Sequence, residues 1–485
     1  MSTIETIGLA ELIDRARAML KAGGRFQMLY AWQPEGAPEL RYVVAMPDEA
    51  AFVQWRVVLE KNRAISLAPS SPLLGWYERE VADLFGIAFD GHPEPVPLVL
   101  PEGTPPPFAP DRPPLNIGSS DPMPLLDEPD VQRLPWGPVR AGVVESGEFV
   151  FYYTGEHIVH YYPQLFFKHR GVEQRFAGLT TDTGTVLAER VSGVGSFAHA
   201  LAYAQAVEAA AGCAVPERAR LLRVLLAELE RLYNHLYYLG HLADTTTLKV
   251  GHAEGVLLAE FAKQLNARLT GSRFLRGLAT PGGLRRDVAT GQWFGAELAR
   301  LSKQVRRYVA LLARSNSYLD RLMTTGVLDR RTAFDQGATG PIERASGLDR
   351  DLRRDHAYAG YDRIAIGVVT EQAGDAHARA LVRTREIRES ITAIRHVLDR
   401  LEPGPIRVEC LAPPGSEGLG WAESPRGSLF YAVHVGGDGR LARVKIKSPS
   451  FSNWRAFPFT VHESNMMDYA INEASFGLTI AGCDR

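Results

Sequence analysis

Residues 75–87 read Gly75-Trp76-Tyr77-Glu78-Arg79-Glu80-Val81-Ala82-Asp83-Leu84-Phe85-Gly86-Ile87, and Gly91-His92-Pro93 and Leu98 to Glu102 follow. The run has the length of a helix entering a loop, but its order of residues is more specific than an amphipathic surface helix requires. Upstream, Thr6 to Ala22 repeats apolar residues at helical spacing (Leu9, Leu12, Ile13, Ala16, Leu20) and stops at Gly23-Gly24. Phe26 to Tyr30 and Leu40 to Ala45 read as strands. Residues 1–100 are therefore expected to form a small α/β domain.

Downstream the prolines crowd: between Pro101 and Pro138 lie Pro105, Pro106, Pro107, Pro110, Pro113, Pro114, Pro122, Pro124, Pro129 and Pro135. Proline has no amide hydrogen and a fixed φ, so residues 101–136 are expected as an extended linker that supplies neither ladder nor helix amides. Beyond it, Glu148 to Tyr153 and His157 to Leu165 read as strands joined at Thr154-Gly155. Helical spacing then dominates. It covers Ser196 to Ala211 before Gly212, a helix opened by Pro216 and ended by Gly240, and stretches from Ala253 to Leu269, Phe294 to Leu322 and Asp375 to Leu401. Residues 137–485 are expected to be a large, mainly α-helical bundle domain with edge strands, which makes the whole chain α+β.

Composition removes several classes of function. A length of 485 residues implies more than one core. Lys+Arg 54 against Asp+Glu 56 gives a net charge of -2, without the basic excess of a nucleic-acid binder. The longest weakly polar run, Ala198 to Val215, is broken by His199, Gln205 and Glu208, so no stretch reaches the roughly 18 apolar residues of a membrane span. The first residues, Met1-Ser2-Thr3-Ile4-Glu5, lack the basic and apolar regions of a secretory signal, and a cytoplasmic location is expected. The three cysteines, Cys213, Cys410 and Cys483, form no C-x-x-C pair, so neither a disulfide framework nor a cysteine-held cluster is expected.

The Gly75–Ile87 run resembles the signature of the 30-kDa-type subunit of respiratory complex I, a docking element with no cofactor of its own. From Gly137 to Arg485 the chain resembles both the 49-kDa-type complex I subunit and the large subunit of group-4 nickel-iron hydrogenases. Segments that carry this resemblance include Lys168-His169-Arg170-Gly171-Val172-Glu173, Ser196-Phe197-Ala198-His199, Gly337-Ala338-Thr339-Gly340-Pro341, Ser424-Pro425-Arg426-Gly427 and Arg443-Val444-Lys445-Ile446-Lys447. The fused order is most similar to the large subunit of formate-hydrogenlyase-type complexes.

The resemblance implies chemistry that this chain lacks. A nickel-iron centre needs soft thiolates, which the hydrogenases supply from two C-x-x-C pairs. Aligned on Phe197-Ala198-His199, the first pair falls on Ser192 and Gly195; the second falls on Thr479 and Gly482, with Cys483 one residue out of register. No metal is expected in this chain, and hydrogen turnover is not expected. Hydrogenase large subunits also extend past the last cysteine and are trimmed, whereas this sequence stops at Arg485, an ending like that of complex I. In complex I a Tyr and a His are implicated in holding the quinone head group. Here Gly193 stands at the Tyr position, and the Gly-Pro segment Gly137-Pro138-Val139-Arg140-Ala141-Gly142-Val143-Val144 holds no His.

Candidate cavity-lining residues by this resemblance are Arg140, His169, Ser192, Gly193, Arg426 and Thr479. His199 and His235, on apolar helix faces, read as hydrogen-bonded core residues. Arg350, Asp351, Arg353, Arg354 and Asp355 read as a salt-bridged interface loop.

Two readings of function remain. In one, the chain walls a cavity beside a 20-kDa-type iron-sulfur subunit that carries the cluster, where an acceptor such as a quinone is reduced. In the other it is a non-catalytic scaffold or coupling subunit between that partner and integral-membrane ion-translocating subunits. Both place it peripherally on the inner face of the cell membrane, acting only within a multisubunit complex.

Overall fold

The computed structural model describes residues 2–34, 36–47, 49–115, 128–140 and 145–485. The first unit is a four-stranded sheet in the order β1-β4-β3-β2, formed by β1 (Thr3–Thr6), β2 (Arg25–Trp32), β3 (Glu39–Ala45) and β4 (Phe52–Val58). β1 runs parallel to β4 and the other pairs are antiparallel. Helix α1 (Leu12–Lys21) buries Leu12, Ala16 and Met19, as its spacing predicts. It begins six residues later than the apolar pattern does, because Thr3–Thr6 is drawn into the sheet edge.

Every residue of β3 is buried, a pattern of strands covered on both faces. The second cover is the C-terminal unit. Phe52 stacks on His356 at 4.0 Å, Trp32 stacks on His434 at 4.8 Å, and Arg25 pairs with Glu343 at 3.0 Å.

Helix α2 (Gly75–Phe85) lies between the small parallel pair β5 (Arg63–Ile65) and β6 (Ala88–Asp90) in sequence, and ends at Gly86, whose φ of 64° is left-handed. It is no surface helix, since Glu78, Arg79 and Glu80 are all buried. Asp83 accepts the amides of Leu98 and Val99 at 2.8 and 2.7 Å, which folds the start of the proline-rich segment back onto the helix. Phe108 then stacks on Phe85 at 5.0 Å and Arg112 donates to the Phe85 carbonyl at 2.6 Å.

The expected linker is therefore interrupted at both ends. To Leu115 it packs on the first unit, residues 116–127 lie outside the described residues, and Gln132–Trp136 forms strand β7. β7 pairs with β8 (Glu148–Thr154), which pairs with β9 (His157–Gln164). Pro135 is tolerated because β7 is an edge strand, where a missing amide breaks no ladder.

Short helices α3 (Val172–Arg175) and α4 (Thr181–Ala188) lead to α5 (Ser196–Ala211), which ends at left-handed Gly212. Helices α6 (Glu217–Thr245) and α7 (Lys249–Thr270) follow. α6 runs straight through Gly240, where the spacing predicts a stop. The reason is packing: a Cβ on Gly255 of α7 would sit 2.6 Å from the Gly240 Cα, so the glycine pair lets the two helices touch backbone to backbone.

The strand pair β10 (Ala279–Thr280) and β11 (Gly283–Leu284) precedes α8 (Gln292–Ala313) and α9 (Asn316–Leu322), one periodic stretch broken at Arg314-Ser315. Three short helices, α10 (Arg330–Asp335), α11 (Pro341–Ala345) and α12 (Leu352–Asp355), lead to α13 (Ala376–Arg400), capped by the Asp375 side chain. The antiparallel meander β12 (Glu417–Ser424), β13 (Gly427–Val435) and β14 (Leu441–Lys447) is followed by α14 (Pro449–Ala456), α15 (Tyr469–Phe476) and α16 (Ile480–Asp484).

Among the described residues the largest apolar cluster spans both units, joining Leu12, Phe26 and Leu84 to Leu229, Phe430 and Phe451. β12 lies directly on α5. A Cβ on Gly420 would collide with the Ala202 carbonyl and the Ala206 amide, which are backbone atoms that cannot swing away. A Gly420→Ala chain is expected to lose about 1–3 kcal/mol by urea denaturation, whereas Gly437→Ala, in open space, leaves the midpoint unchanged.

Candidate functional site

Ser192 precedes a single 3-10 turn, Gly193–Gly195, that feeds α5, and Thr479 stands immediately before α16. The fold brings the two ends together. A Cβ on Gly482 would lie 2.5 Å from Thr479 Oγ1 and 3.4 Å from both Ser192 Oγ and Ser450 Oγ. Ser450 and Thr479 share a hydrogen bond of 3.0 Å, and the Gly195 amide donates to the Ser192 carbonyl at 3.3 Å.

The four positions matching the hydrogenase ligands thus form one small neighbourhood of alcohols and glycines. Alcohols stay protonated at neutral pH and offer hard oxygen, so this donor set does not fit a nickel-iron centre. Cys483 does not substitute, because it is fully buried and burial holds its thiol well above the usual range.

The start of α5 is held by α6. Glu230 accepts the amides of Phe197 and Ala198 at 2.8 and 2.9 Å, filling helix-end donors that would otherwise be orphaned. Burial nevertheless pushes its carboxyl up to about 7. A folded value above the unfolded one means that Glu230 favours folding fully below pH about 4.5 and loses that contribution as pH rises through 7. Glu230→Gln, which cannot titrate, is expected to cost about 2 kcal/mol more at pH 5 than at pH 8; equal costs from denaturant curves at the two pH values would contradict this.

Arg426 occupies the turn between β12 and β13, where its amide donates to Ser424 Oγ at 3.3 Å and its carbonyl accepts from Asn453 at 3.3 Å. The backbone is pinned, but the half-buried guanidinium makes no ion pair or hydrogen bond among the described residues, and its Nε is buried without a partner. Burial and the neighbouring Arg383 push it down to about 10, so it remains cationic at neutral pH. Arg383 donates to the carbonyls of Ser475 and Phe476, next to Gly477, against which both guanidinium groups lie. Tyr233 Oη is a second buried polar atom without a partner among the described residues, and it feels the charges of Arg276 and Arg426.

The other sequence candidates are placed as follows. Gly193 leaves room toward Arg276, whose Nη2 would be 3.9 Å from a Cβ there and whose Nε donates to Ser196 Oγ at 3.2 Å. Arg140 is committed elsewhere, pairing with Glu473 at 3.1 Å and lying over the Phe149 ring at 4.3 Å. Residues 141–144 of its segment lie outside the described residues. His169 bonds through Nδ1 to the Asp484 carbonyl at 2.8 Å, which sets it beside α16 but on the side of Glu80 and Arg485. His199 bonds to Tyr431 Oη at 2.7 Å and His235 to Glu386 at 2.8 Å. Burial pushes these two imidazoles down to about 3 and about 4, so both are neutral core residues.

Comparison with known proteins agrees with this architecture. The model of the respiratory-chain NADH dehydrogenase 30 Kd subunit matches residues 9–115, that of the 49 Kd subunit matches 258–416 and 408–485, and that of the nickel-dependent hydrogenases matches 170–263. Formate hydrogenlyase subunit 5 of Escherichia coli (strain K12) is 31% identical over 471 residues, 92% of this chain and 82% of that protein. The chain belongs to this fused 30-kDa/49-kDa family.

Among its other relatives, NADH-quinone oxidoreductase subunit 4 of Thermus thermophilus is 32% identical over 68% of this chain and 88% of its own length. A solved structure of the membrane-bound sulfane sulfur reductase, an archaeal respiratory membrane complex, matches with a TM-score of 0.69 and 25% identity over 75% of this chain and 100% of that one. Among the described residues, no helix is long and apolar enough to cross a membrane.

Two features of this family member go beyond what residue spacing alone indicates. The Arg350–Asp355 segment is no interface loop in its middle, because Asp351 and Arg353 are fully buried. Arg353 pairs with Asp351 at 2.7 Å and with Glu228 at 3.1 Å; Arg344 reaches Glu386 at 2.7 Å, Glu423 at 3.0 Å and Asp351 at 3.3 Å. Burial and the Asp351 carboxylate push Glu423 up to about 7, while the arginines hold Glu386 well below the usual carboxylate range against its burial.

The second feature lies at the seam between the units, where Glu80 of α2 meets Lys445 at 2.5 Å and Arg485 at 2.7 Å. Glu173 of α3 meets Arg443 at 2.7 Å, Lys445 at 3.1 Å and Arg485 at 3.3 Å. For the first cluster the sequence signal is the set of charges placed inside an apolar stripe, Glu228, Arg231 and His235 on α6.

Proposed function

We propose that this chain is the cavity-wall subunit in the peripheral arm of a membrane-associated oxidoreductase on the inner face of the cell membrane. It sits beside a 20-kDa-type iron-sulfur subunit and integral-membrane ion-translocating subunits. There it helps reduce an acceptor of the quinone class with electrons from the partner's cluster. The observation that supports this reading is Arg426, a cationic, half-buried donor without a partner among the described residues, whose guanidinium lies against Gly477, two residues before Thr479. Leaving such a group unpaired costs free energy unless a bound molecule accepts from it.

The chain's own part is to bind and orient. Arg426 donates to an acceptor oxygen and stabilises negative charge as it develops there, Tyr233 offers a second donor, and the close-packed alcohols around Gly482 leave no metal in the path.

The test is made on the assembled complex, purified from its native membrane. Adding a soluble quinone to the reduced assembly should reoxidise the cluster, followed by electron paramagnetic resonance. Arg426→Gln should slow that step about 10- to 100-fold, the range of one charge-assisted hydrogen bond. A cluster that stays reduced in the unaltered assembly would establish the scaffold reading instead.

A further inference from the structure

The three cysteines are far apart in sequence, yet the fold brings two of them together. Cys213 follows the left-handed cap of α5, and its Sγ donates to the Glu409 carbonyl at 3.9 Å, one residue from Cys410. Cys410 is the residue that follows this carbonyl, and its Cβ lies 3.1 Å from where a Cβ on Gly282 would stand. Glu208 holds Cys213 and the glycine beside Cys410: it accepts the Cys213 amide on its carbonyl at 2.9 Å and the Gly282 amide on its carboxylate at 2.8 Å. Glu208 is itself fixed by Arg223 at 2.5 Å. Both thiols are half-buried, so small solutes reach them.

We propose that Cys213 and Cys410 are a redox-active dithiol that closes to an intramolecular disulfide when a low-molecular-weight disulfide is present. The Cys213 thiolate attacks R–S–S–R, forming a mixed disulfide and releasing RS⁻. Cys410 loses its proton to water, attacks Cys213 Sγ and displaces the second RS⁻. Two protein thiols are oxidised and one small disulfide is reduced to two thiols. Burial, with Cys213 alongside, pushes the Cys410 thiol well up, so the second attack is slow near neutrality and speeds up in alkali.

The bond ties the end of α5 to the segment that leads into β12. These two elements lie against each other and carry, at their opposite ends, Ser196 and Ser424 of the candidate site. Closure therefore staples the scaffold of that site without touching it.

The experiment uses the full chain and oxidised glutathione, with alkylation under denaturing conditions and peptide mass spectrometry. Of the three thiols, two should become protected, with a linked peptide joining Cys213 to Cys410. The thermal midpoint should rise and return on treatment with dithiothreitol, and the closure rate should increase about tenfold from pH 7 to pH 8. Cys213→Ser and Cys410→Ser should each abolish both the linked peptide and the thermal shift. Three alkylatable thiols after oxidation, a persistent glutathione adduct on Cys213, or a bond to Cys483 would each overturn the proposal.

Discussion

An Arg344→Leu chain is expected to lose about 3–5 kcal/mol of folding stability, the largest effect of any single change proposed for this protein. Arg344 is fully buried, donates to Glu386, Glu423 and the Arg350 carbonyl, and pairs with Asp351. Its removal leaves Glu386 and Glu423 without their main cation in a place where water cannot replace it. The cost is the desolvation of stranded carboxylates, which exceeds what an apolar side chain of similar volume returns. Arg354→Leu is the matched control: its pairs with Asp349 and Asp355 are partly exposed, and exposed pairs contribute about 1 kcal/mol or less. Denaturant midpoints measured side by side decide the matter; equal losses from the two substitutions would mean that the buried cluster is not what holds α11, α13 and β12 together.

Glu173→Ala is expected to be nearly as severe, again about 3–5 kcal/mol, but with a different signature. It removes the carboxylate shared by Arg443, Lys445 and Arg485 and leaves three cations at the seam facing Glu80 alone. Because the seam joins the units, the loss should appear as loosening between them. Limited proteolysis should cut the proline-rich segment faster, while the helical unit keeps its circular dichroism. Lys445 and Arg443 hold the Glu173 carboxyl far below its usual range, so acid should bring the wild-type seam toward the variant only at very low pH. An unchanged proteolytic pattern at neutral pH would contradict the assignment.

Much of the fold could be read from local chemistry. α5 starts at Ser196 and stops at Gly212 as its spacing indicates, and Asp375 caps α13 where the apolar pattern begins. The structure departs from the spacing where one residue type serves two physical ends. Gly240 looks the same in sequence whether it terminates a helix or lets two helices touch, and only the partner, Gly255, tells them apart. Pro135 looks like a linker residue until its strand proves to be an edge. Ser192, Thr479 and Gly482 were found through resemblance, not through spacing, since alcohols and glycines so far apart in the chain carry no motif of their own. The buried ion clusters were illegible for a related reason: spacing along a helix shows that Glu228 and Arg231 share a face with leucines, but not that Arg353 waits on the other side. Cys213 and Cys410, with no C-x-x-C pattern, are likewise scattered in sequence, yet the Cys213 thiol reaches the carbonyl that precedes Cys410.

The seam at Glu80 sets a timetable for synthesis. Its two cations stand 365 and 405 positions further along the chain, so the ribosome delivers the carboxylate first and its partners last. At about 5–20 residues per second, that interval is on the order of half a minute. Throughout it the N-terminal unit must wait with Trp32 and Phe52 of its sheet and Glu80 of α2 uncovered. A nascent chain in that state presents apolar surface and an unanswered charge together, which makes this half-built unit the form of the protein that most needs a chaperone.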